Sequence, residues 1–194
     1  SGMRGSNLFG FASVNTVQHG FNRIKGVGDI VMFKLTEKQI GEYYKRSYTA
    51  VDGLWFMKAE ERYGFDTALD IDDDVWKVMP KIQARKLKSM GNLTDGLDGL
   101  RECFTTKLTL DGFAFETEQS DDGRSLKITL SECPWHNVMI KSGREHLSGK
   151  VGTRICTTEY QVWAAEFGDD ITFELGDQIC EGFKCCTLVF KVAL

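Results

Sequence analysis

The cysteines constrain this chain most, because five of its six lie after residue 132. They occur as Cys133-Pro-Trp-His136, as Cys156, and as Cys180-Glu-Gly-Phe-Lys-Cys185-Cys186. No signal-peptide pattern precedes them, which favours a soft-metal site over a disulfide framework. Closed zinc sites usually take four ligands from Cys and His. The pattern therefore predicts that a metal organises the C-terminal third.

The candidate ligands come from separate elements of the predicted fold. The thiols are those of Cys133, Cys156, Cys180 and Cys186, and His136 and Asp177 are alternates. Cys185 would face away from its neighbour on a strand, so we expect it in the core. The competing interpretation is that these cysteines are small buried hydrophobes. Thiolates bind both Zn²⁺ and iron, but the compact repeats of ferredoxins are missing, so we predict zinc and rank iron or an iron–sulfur cluster lower.

Composition excludes several classes of protein. The chain has 194 residues, 42% of them hydrophobic and 27% charged, which is typical of a globular domain. A formal charge of −4 gives little basic surface, so nucleic acid is not an expected partner. No apolar run reaches the roughly 20 residues that span a bilayer, and we expect a cytoplasmic protein without a membrane partner. Residues 1–31 are expected to form a leader or irregular arm, and the first six resemble expression-derived sequence.

Residues 32–99 are predicted to be helical. Thr36 and Gln39 match a capping box, so a helix should begin near Glu37, run to about Tyr63 and stop at Gly64. An apolar stripe at helical spacing marks its expected packing face: Ile40, Tyr44, Tyr48, Val51, Leu54, Trp55 and Lys58. A second helix is expected to start at the acidic run 70–74 and to be kinked at Pro80.

Residues 100–194 are predicted to combine an antiparallel sheet with one helix. Alternation from Glu102 onward indicates a three-stranded meander with turns at 111–112 and 121–123. A helix is expected over 150–167, followed by strands at 171–175 and 187–192. The fold class is therefore α+β, with N-terminal helices packed on an antiparallel sheet and a C-terminal metal-binding β-α-β-β part.

Four other polar features have competing explanations. Asp52, beside Gly53, interrupts an apolar helical face, so it must be paired in a helix–helix contact or lie beside a ligand cavity. The acidic run 70–74 fits a helix N-terminus better than a hard-cation site. Ser142 is expected to cap a helix rather than help to hold an anion. His136, Glu132 and Asp52 are candidate bases, and no serine elbow, P-loop, HExxH or dinucleotide motif occurs.

Two stretches resemble known families. The segments 43–56, 60–65 and 72–76, with the cysteine-containing half, resemble an uncharacterised prokaryotic cytosolic family related to aminothiazoline carboxylate hydrolase-like proteins. The C-terminal part also resembles the 4-vinyl reductase domain, a zinc-containing small-molecule-binding module. That resemblance implies metal roles for Cys156, Cys180 and Cys186, with Cys133 or Asp177 as the fourth ligand and Cys133 favoured. It also implies a hydrophobic pocket between helix and sheet.

Two functions follow as hypotheses. The first is a zinc-containing module that binds a small apolar or aromatic ligand as a sensor or metabolic accessory, with a homodimer as one candidate assembly. The second is a metal-dependent hydrolase of a cyclic amidine or amide, which needs an open metal position with a bound water and a base, His136 or Asp52.

Overall fold

The computed structural model describes residues 33–193, so the predicted arm over residues 1–31 lies outside the described residues. Its elements are α1 (Glu37–Tyr63), α2 (Phe65–Trp76), α3 (Met79–Gly91), α4 (Leu97–Asp111), β1 (Ala114–Gln119), β2 (Ser125–Glu132), α5 (Pro134–Lys141), α6 (Glu145–Ala165), β3 (Ile171–Leu175), a short 3₁₀ turn (Ile179–Glu181) and β4 (Cys186–Val192). The chain divides into two compact units, residues 1–40 and 41–194.

The first unit contains the predicted helix start. The Thr36 hydroxyl accepts the N–H of Gln39 at 3.2 Å, and Gln39 Oε1 accepts the N–H of Thr36 at 2.9 Å. This reciprocal pair satisfies two backbone donors that a helix N-terminus leaves unpaired. The predicted capping box is confirmed.

In the second unit, four strands form one antiparallel sheet in the order β1-β2-β4-β3. The β2/β4 register places Leu126 opposite Phe190, Ile128 opposite Leu188 and Leu130 opposite Cys186. All six side chains are buried. Since alternate residues of a strand share a face, this register builds one apolar surface, against which α4 and α6 pack. The predicted α+β class is confirmed.

Helix α4 contradicts the strand that the sequence indicated from Glu102 onward. Its buried residues include Leu100, Cys103, Phe104 and Leu108, a helical spacing. Threonine misled the interpretation because β-branched residues favour strands. In α4 the hydroxyls of Thr105, Thr106 and Thr109 instead donate to the carbonyl oxygens four residues earlier, at 2.7–2.8 Å. The meander therefore has two strands in this segment, not three.

Other boundaries also differ from the sequence predictions. The acidic run lies inside α2, not at a helix start, because α2 already begins at Phe65 after Gly64. Pro80 lies in the first turn of α3, where its missing N–H costs nothing, so it begins a helix instead of kinking one. Helix α5 was not predicted, and Ser142 ends it instead of starting the next helix. The predicted helix over 150–167 begins earlier, at Glu145, while both C-terminal strands are confirmed within a residue.

A buried ion pair joins α4 to α6. Lys107, which is 3% exposed, places Nζ 2.6 Å from Glu159 Oε1 and 3.2 Å from Asp111 Oδ2. Burial opposes the charged form, yet the attraction of these two carboxylates raises the pKa of Lys107. The lysine therefore stays charged inside the core.

We expect Lys107→Ala to lower the free energy of unfolding by about 3–5 kcal/mol, because it leaves Glu159 buried without a cation. Urea denaturation measures this loss. The control is Lys127→Ala, which removes an exposed ion pair with Glu118 and should cost less than about 1 kcal/mol. Equal losses in the two variants would show that the buried pair does not hold the helices together.

Candidate ligand-binding cavity

A cavity of about 210 Å³ lies within residues 41–194, between α1, α2, α5, α6 and the adjoining strands. Its wall is mainly apolar and aromatic. The apolar side chains that line it are Phe56, Met57, Trp76, Phe113, Leu130, Trp135, Val138, Met139, Val151, Ile155, Leu175 and Leu188. A concave, mainly apolar surface with some polar groups is the usual form of a small-molecule site.

Helix α1 presents an unexpected face to this cavity. Its cavity residues are Thr49, Asp52, Gly53, Phe56 and Met57. The predicted apolar stripe lies mostly on the opposite side, where Val51 and Leu54 are exposed and Trp55 is 74% exposed. Tyr48 alone turns inward and packs edge-on against Trp135, with ring centroids 6.2 Å apart. The expectation that the stripe is the packing face was wrong. The face of α1 that lines the cavity contains Asp52 and Gly53, so its sequence does not look like an apolar packing face.

Two carboxyl groups meet at this wall, Asp52 from α1 and Asp72 from α2. Burial, reinforced by the charge of Glu159, raises the pKa of Asp52 to about 6. Burial and the charge of Asp52 raise the pKa of Asp72 to about 7, against a hydrogen bond from Trp76. Of the two explanations for Asp52, the structure supports the one beside a cavity.

The neighbouring acids of α2 have a different role. Asp66 pairs with Lys150 at 2.5 Å, Asp70 pairs with Arg154 at 2.6 Å, and Asp73 is buried against Arg154 and Thr158. Although burial opposes it, hydrogen bonds from Thr158, Lys77 and Arg154 lower the pKa of Asp73. These pairs fasten α2 to α6. The acidic run is therefore neither a helix start nor a cation loop but a helix–helix contact, from which Asp72 alone faces the cavity.

The four predicted cysteine ligands, Cys133, Cys156, Cys180 and Cys186, all line the cavity. Backbone N–H groups of His136 and Ile179 donate to the sulfurs of Cys133 and Cys186, at 3.5 and 3.2 Å. A Cβ at position 152 would lie 2.7 Å from Cys180 Sγ, so Gly152 is what lets this thiol approach α6.

The donor set suits zinc in its chemistry, but the side chains are not gathered around a point. No group of three or more His, Cys, Asp or Glu side chains within residues 33–193 is placed to hold a metal ion. Burial raises the pKa of Cys180 and of Cys186 to about 11 and that of Cys156 further. These thiols are therefore protonated at neutral pH unless a cation displaces the protons.

The other candidates separate into two groups. His136 lines the cavity, and its Nδ1 lies 3.2 Å from the hydroxyl of the buried Ser148. Asp177 and Cys185 do not line it, and Glu132 bonds to Asn137 on the surface. The alternate ligand Asp177 therefore stays a prediction: its carbonyl oxygen accepts the N–H of Thr187, next to Cys186, at 2.9 Å.

Sequence reasoning missed two carboxyl groups, Asp72 and Glu159. Glu159 is 4% exposed and lines the cavity from α6, in a helix whose buried positions include Ile155, Tyr160 and Trp163. An acid among such residues is the same signal that singled out Asp52. Asp72 carried no such signal, because most of its neighbours in sequence are also aspartates, namely Asp70, Asp73 and Asp74.

Residues 34–186 match DUF6125, a family of unknown function, and the chain belongs to that family. No curated protein matches it. Among solved structures, it is similar to a trafficking protein particle complex subunit 3 from Naegleria fowleri covalently bound to palmitic acid, at 14% identity and a TM-score of 0.46, over 81% of this chain and 98% of that one. It is also similar to the phenol-responsive sensory domain of the transcription activator PoxR with phenol, at 11% identity and a TM-score of 0.44, over 83% of this chain and 76% of that one. In residues 33–193, no helix has the length and apolar character needed to cross a membrane.

We expect Asp72→Asn to raise stability above pH 7. A carboxyl whose folded pKa is raised costs stability as pH rises from its unfolded pKa, near 4, to its folded pKa, about 7. The variant removes that cost, on the order of 2 kcal/mol after allowance for solvent screening. Thermal melts from pH 4 to 9 measure it, with Asp74→Asn on the exposed side of α2 as control. Parallel curves for wild type and Asp72→Asn would contradict the assignment.

Proposed function

We propose that this protein binds a small apolar or aromatic ligand in the cavity between α1, α2, α5, α6 and the sheet. The observation that carries the proposal is the cavity of about 210 Å³ with its largely apolar wall. Removing apolar ligand surface from water at such a wall yields about 25 cal/mol per Å². The binding role fits the notion of a sensor or metabolic accessory better than that of a structural domain, whose core would be filled.

The aromatic side chains at the cavity wall favour an aromatic ligand. Trp135 packs edge-on against both Trp76 and Tyr48, each with ring centroids 6.2 Å apart. Such rings are positioned by their neighbours and present edges and faces to a planar guest. Ligand entry should therefore change the fluorescence of Trp76 and Trp135.

Gly53→Leu should abolish this binding without unfolding the protein. Position 53 lines the cavity and has open space around a new Cβ, so the added side chain occupies the ligand volume. Gly41→Leu is the matched control, since it also has open space on α1 but does not line the cavity. Both changes should stabilise the helix by up to about 0.8 kcal/mol. Titration with 2-phenylethanol, followed by tryptophan fluorescence, should show binding to Gly41→Leu and not to Gly53→Leu; equal binding to both would place the ligand elsewhere.

We further propose that Cys133, Cys156, Cys180 and Cys186 hold a zinc ion that braces the wall of the cavity, as the resemblance to the 4-vinyl reductase domain implies. The proposal is supported by the fact that all four thiols line one cavity, and by the backbone N–H bonds to two of the sulfurs. Binding requires the sulfurs to converge and lose their protons. Four thiolates would leave no position for water, so the proposal assigns the ion a structural role.

Cys186→Ser tests the zinc proposal, with the adjacent Cys185→Ser as control. Elemental analysis should find about one zinc per chain in wild type and in Cys185→Ser, and none in Cys186→Ser. A chelator should then lower the melting temperature of wild type but not of Cys186→Ser, since zinc binding energy is folding energy. Wild-type protein free of metal when purified without chelator would return the four cysteines to the role of buried hydrophobes.

The hydrolase alternative stays a prediction. His136 and Asp52 both line the cavity, as that mechanism requires of a base. It also requires an open metal position, which fewer than four sulfur ligands and a water would supply. X-ray absorption at the zinc edge counts those ligands and so decides between the two roles.

A further inference from the structure

We propose that the ligand of this cavity carries a protonated amine, which binds between Asp52 and Asp72 while its apolar body lies against the aromatic wall. The inference rests on the proposed binding function and names the chemical class of the ligand. It follows from the placement of charges around the cavity.

Asp52 and Asp72 enter the cavity wall from different helices without a cationic partner. Within residues 33–193, neither carboxylate forms a salt bridge, although the other four aspartates of α2 each do. The group that lowers the pKa of Asp72 is the side chain of Trp76, which is neutral and brings no positive charge. Two acids thus face an apolar volume uncompensated, whereas their neighbours are fully paired.

The cations near this wall are already engaged. Arg144 lines the cavity, but its Nη2 lies 2.6 Å from Glu60 Oε2. Lys107, behind the wall, is held by Glu159 and Asp111. Neither of these two cations is therefore free to pair with Asp52 or Asp72.

Glu159 adds a third carboxyl to the same wall from α6. It is 4% exposed, and its Oε1 makes no hydrogen bond of regular geometry even though Lys107 Nζ lies 2.6 Å away. Its charge acts on Asp52, whose charge acts in turn on Asp72. The wall of the cavity is therefore mainly apolar and carries three carboxyl groups, of which Asp52 and Asp72 form no salt bridge with any described residue.

An ammonium group on the ligand would pair with the carboxylates of Asp52 and Asp72. Buried carboxylates are costly unless they meet a cation or a proton, and burial accordingly raises the pKa of Asp52 to about 6 and that of Asp72 to about 7. An alkylamine stays protonated near neutral pH, as the lysine side chain does. It would supply the missing positive charge and form charge-assisted hydrogen bonds with both carboxylates. The other titratable groups on the wall are His136, Tyr160, and the four thiols, which lie on α5, α6 and the strand ends.

The experiment compares 2-phenylethylamine with 2-phenylethanol, which differ in charge but hardly in size. Calorimetric titration at pH 8 should show the amine binding at least about tenfold more tightly, and the ratio should fall at pH 5.5 as the two acids become protonated. Asp52→Asn and Asp72→Asn should each reduce the ratio at pH 8. Asp74→Asn, which removes an exposed acid from the same helix, should retain it.

Each other outcome overturns a stated claim. Equal binding of amine and alcohol, abolished by Gly53→Leu, would reject the amine and keep the proposed cavity function. Tighter binding of the alcohol than of the amine at pH 8 would also reject it, because the two carboxyls would then favour a neutral ligand over a cation. Binding of neither compound would overturn the inference together with the proposed function.

Discussion

The contact between Lys107 and Glu159 connects the core of this protein to its cavity. Lys107 lies on α4 and forms a buried ion pair with Glu159 on α6. The same glutamate forms part of the cavity wall. Because a charge is felt over several ångströms in a poorly solvated interior, Glu159 also raises the pKa of Asp52 across the cavity. One buried pair thus fixes the packing of α6 and contributes to the electrostatics of the site.

The acidic residues of helix α2 lie in two places, the contact with α6 and the wall of the cavity. Asp72 and Asp73 are adjacent, yet the pKa of the first is raised and that of the second is lowered. Successive residues of a helix point about 100° apart, so one faces the cavity and the other faces Arg154 and Thr158 on α6. The pairs along that contact hold α2 in place, which keeps Asp72 close to Asp52. The ion pairs between α2 and α6 therefore hold Asp72 on the cavity wall, although its burial near the charge of Asp52 is unfavourable.

The spacing of apolar residues predicted helices and strands correctly where it fitted only one kind of element. It failed where the residue types favoured a different element from the one that the spacing indicated. The capping box at Thr36 and the alternating strands near Ile171 and Leu188 gave reliable boundaries. Helix α4 was missed because its threonines favour strands in isolation, while its buried residues follow the helical period only once Leu100, Phe104 and Leu108 have a sheet to pack against. Composition could not reveal that the most apolar face of α1, with Trp55, would be the exposed one.

The sequence by itself determined the α+β class, the long first helix, the C-terminal strands, the group of cysteines and the anomaly of Asp52, because each depends on local periodicity, capping or residue chemistry. Tertiary structure alone decided that the four cysteines share one cavity with Asp52, that Asp72 and Glu159 join it, and that Asp177 does not. Those facts depend on how α1, α2 and α6 pack over more than 80 residues of intervening chain, as the pairing of Glu60 with Arg144 illustrates. Such long-range contacts arise from the sum of many packing interactions, and no short segment of sequence encodes them.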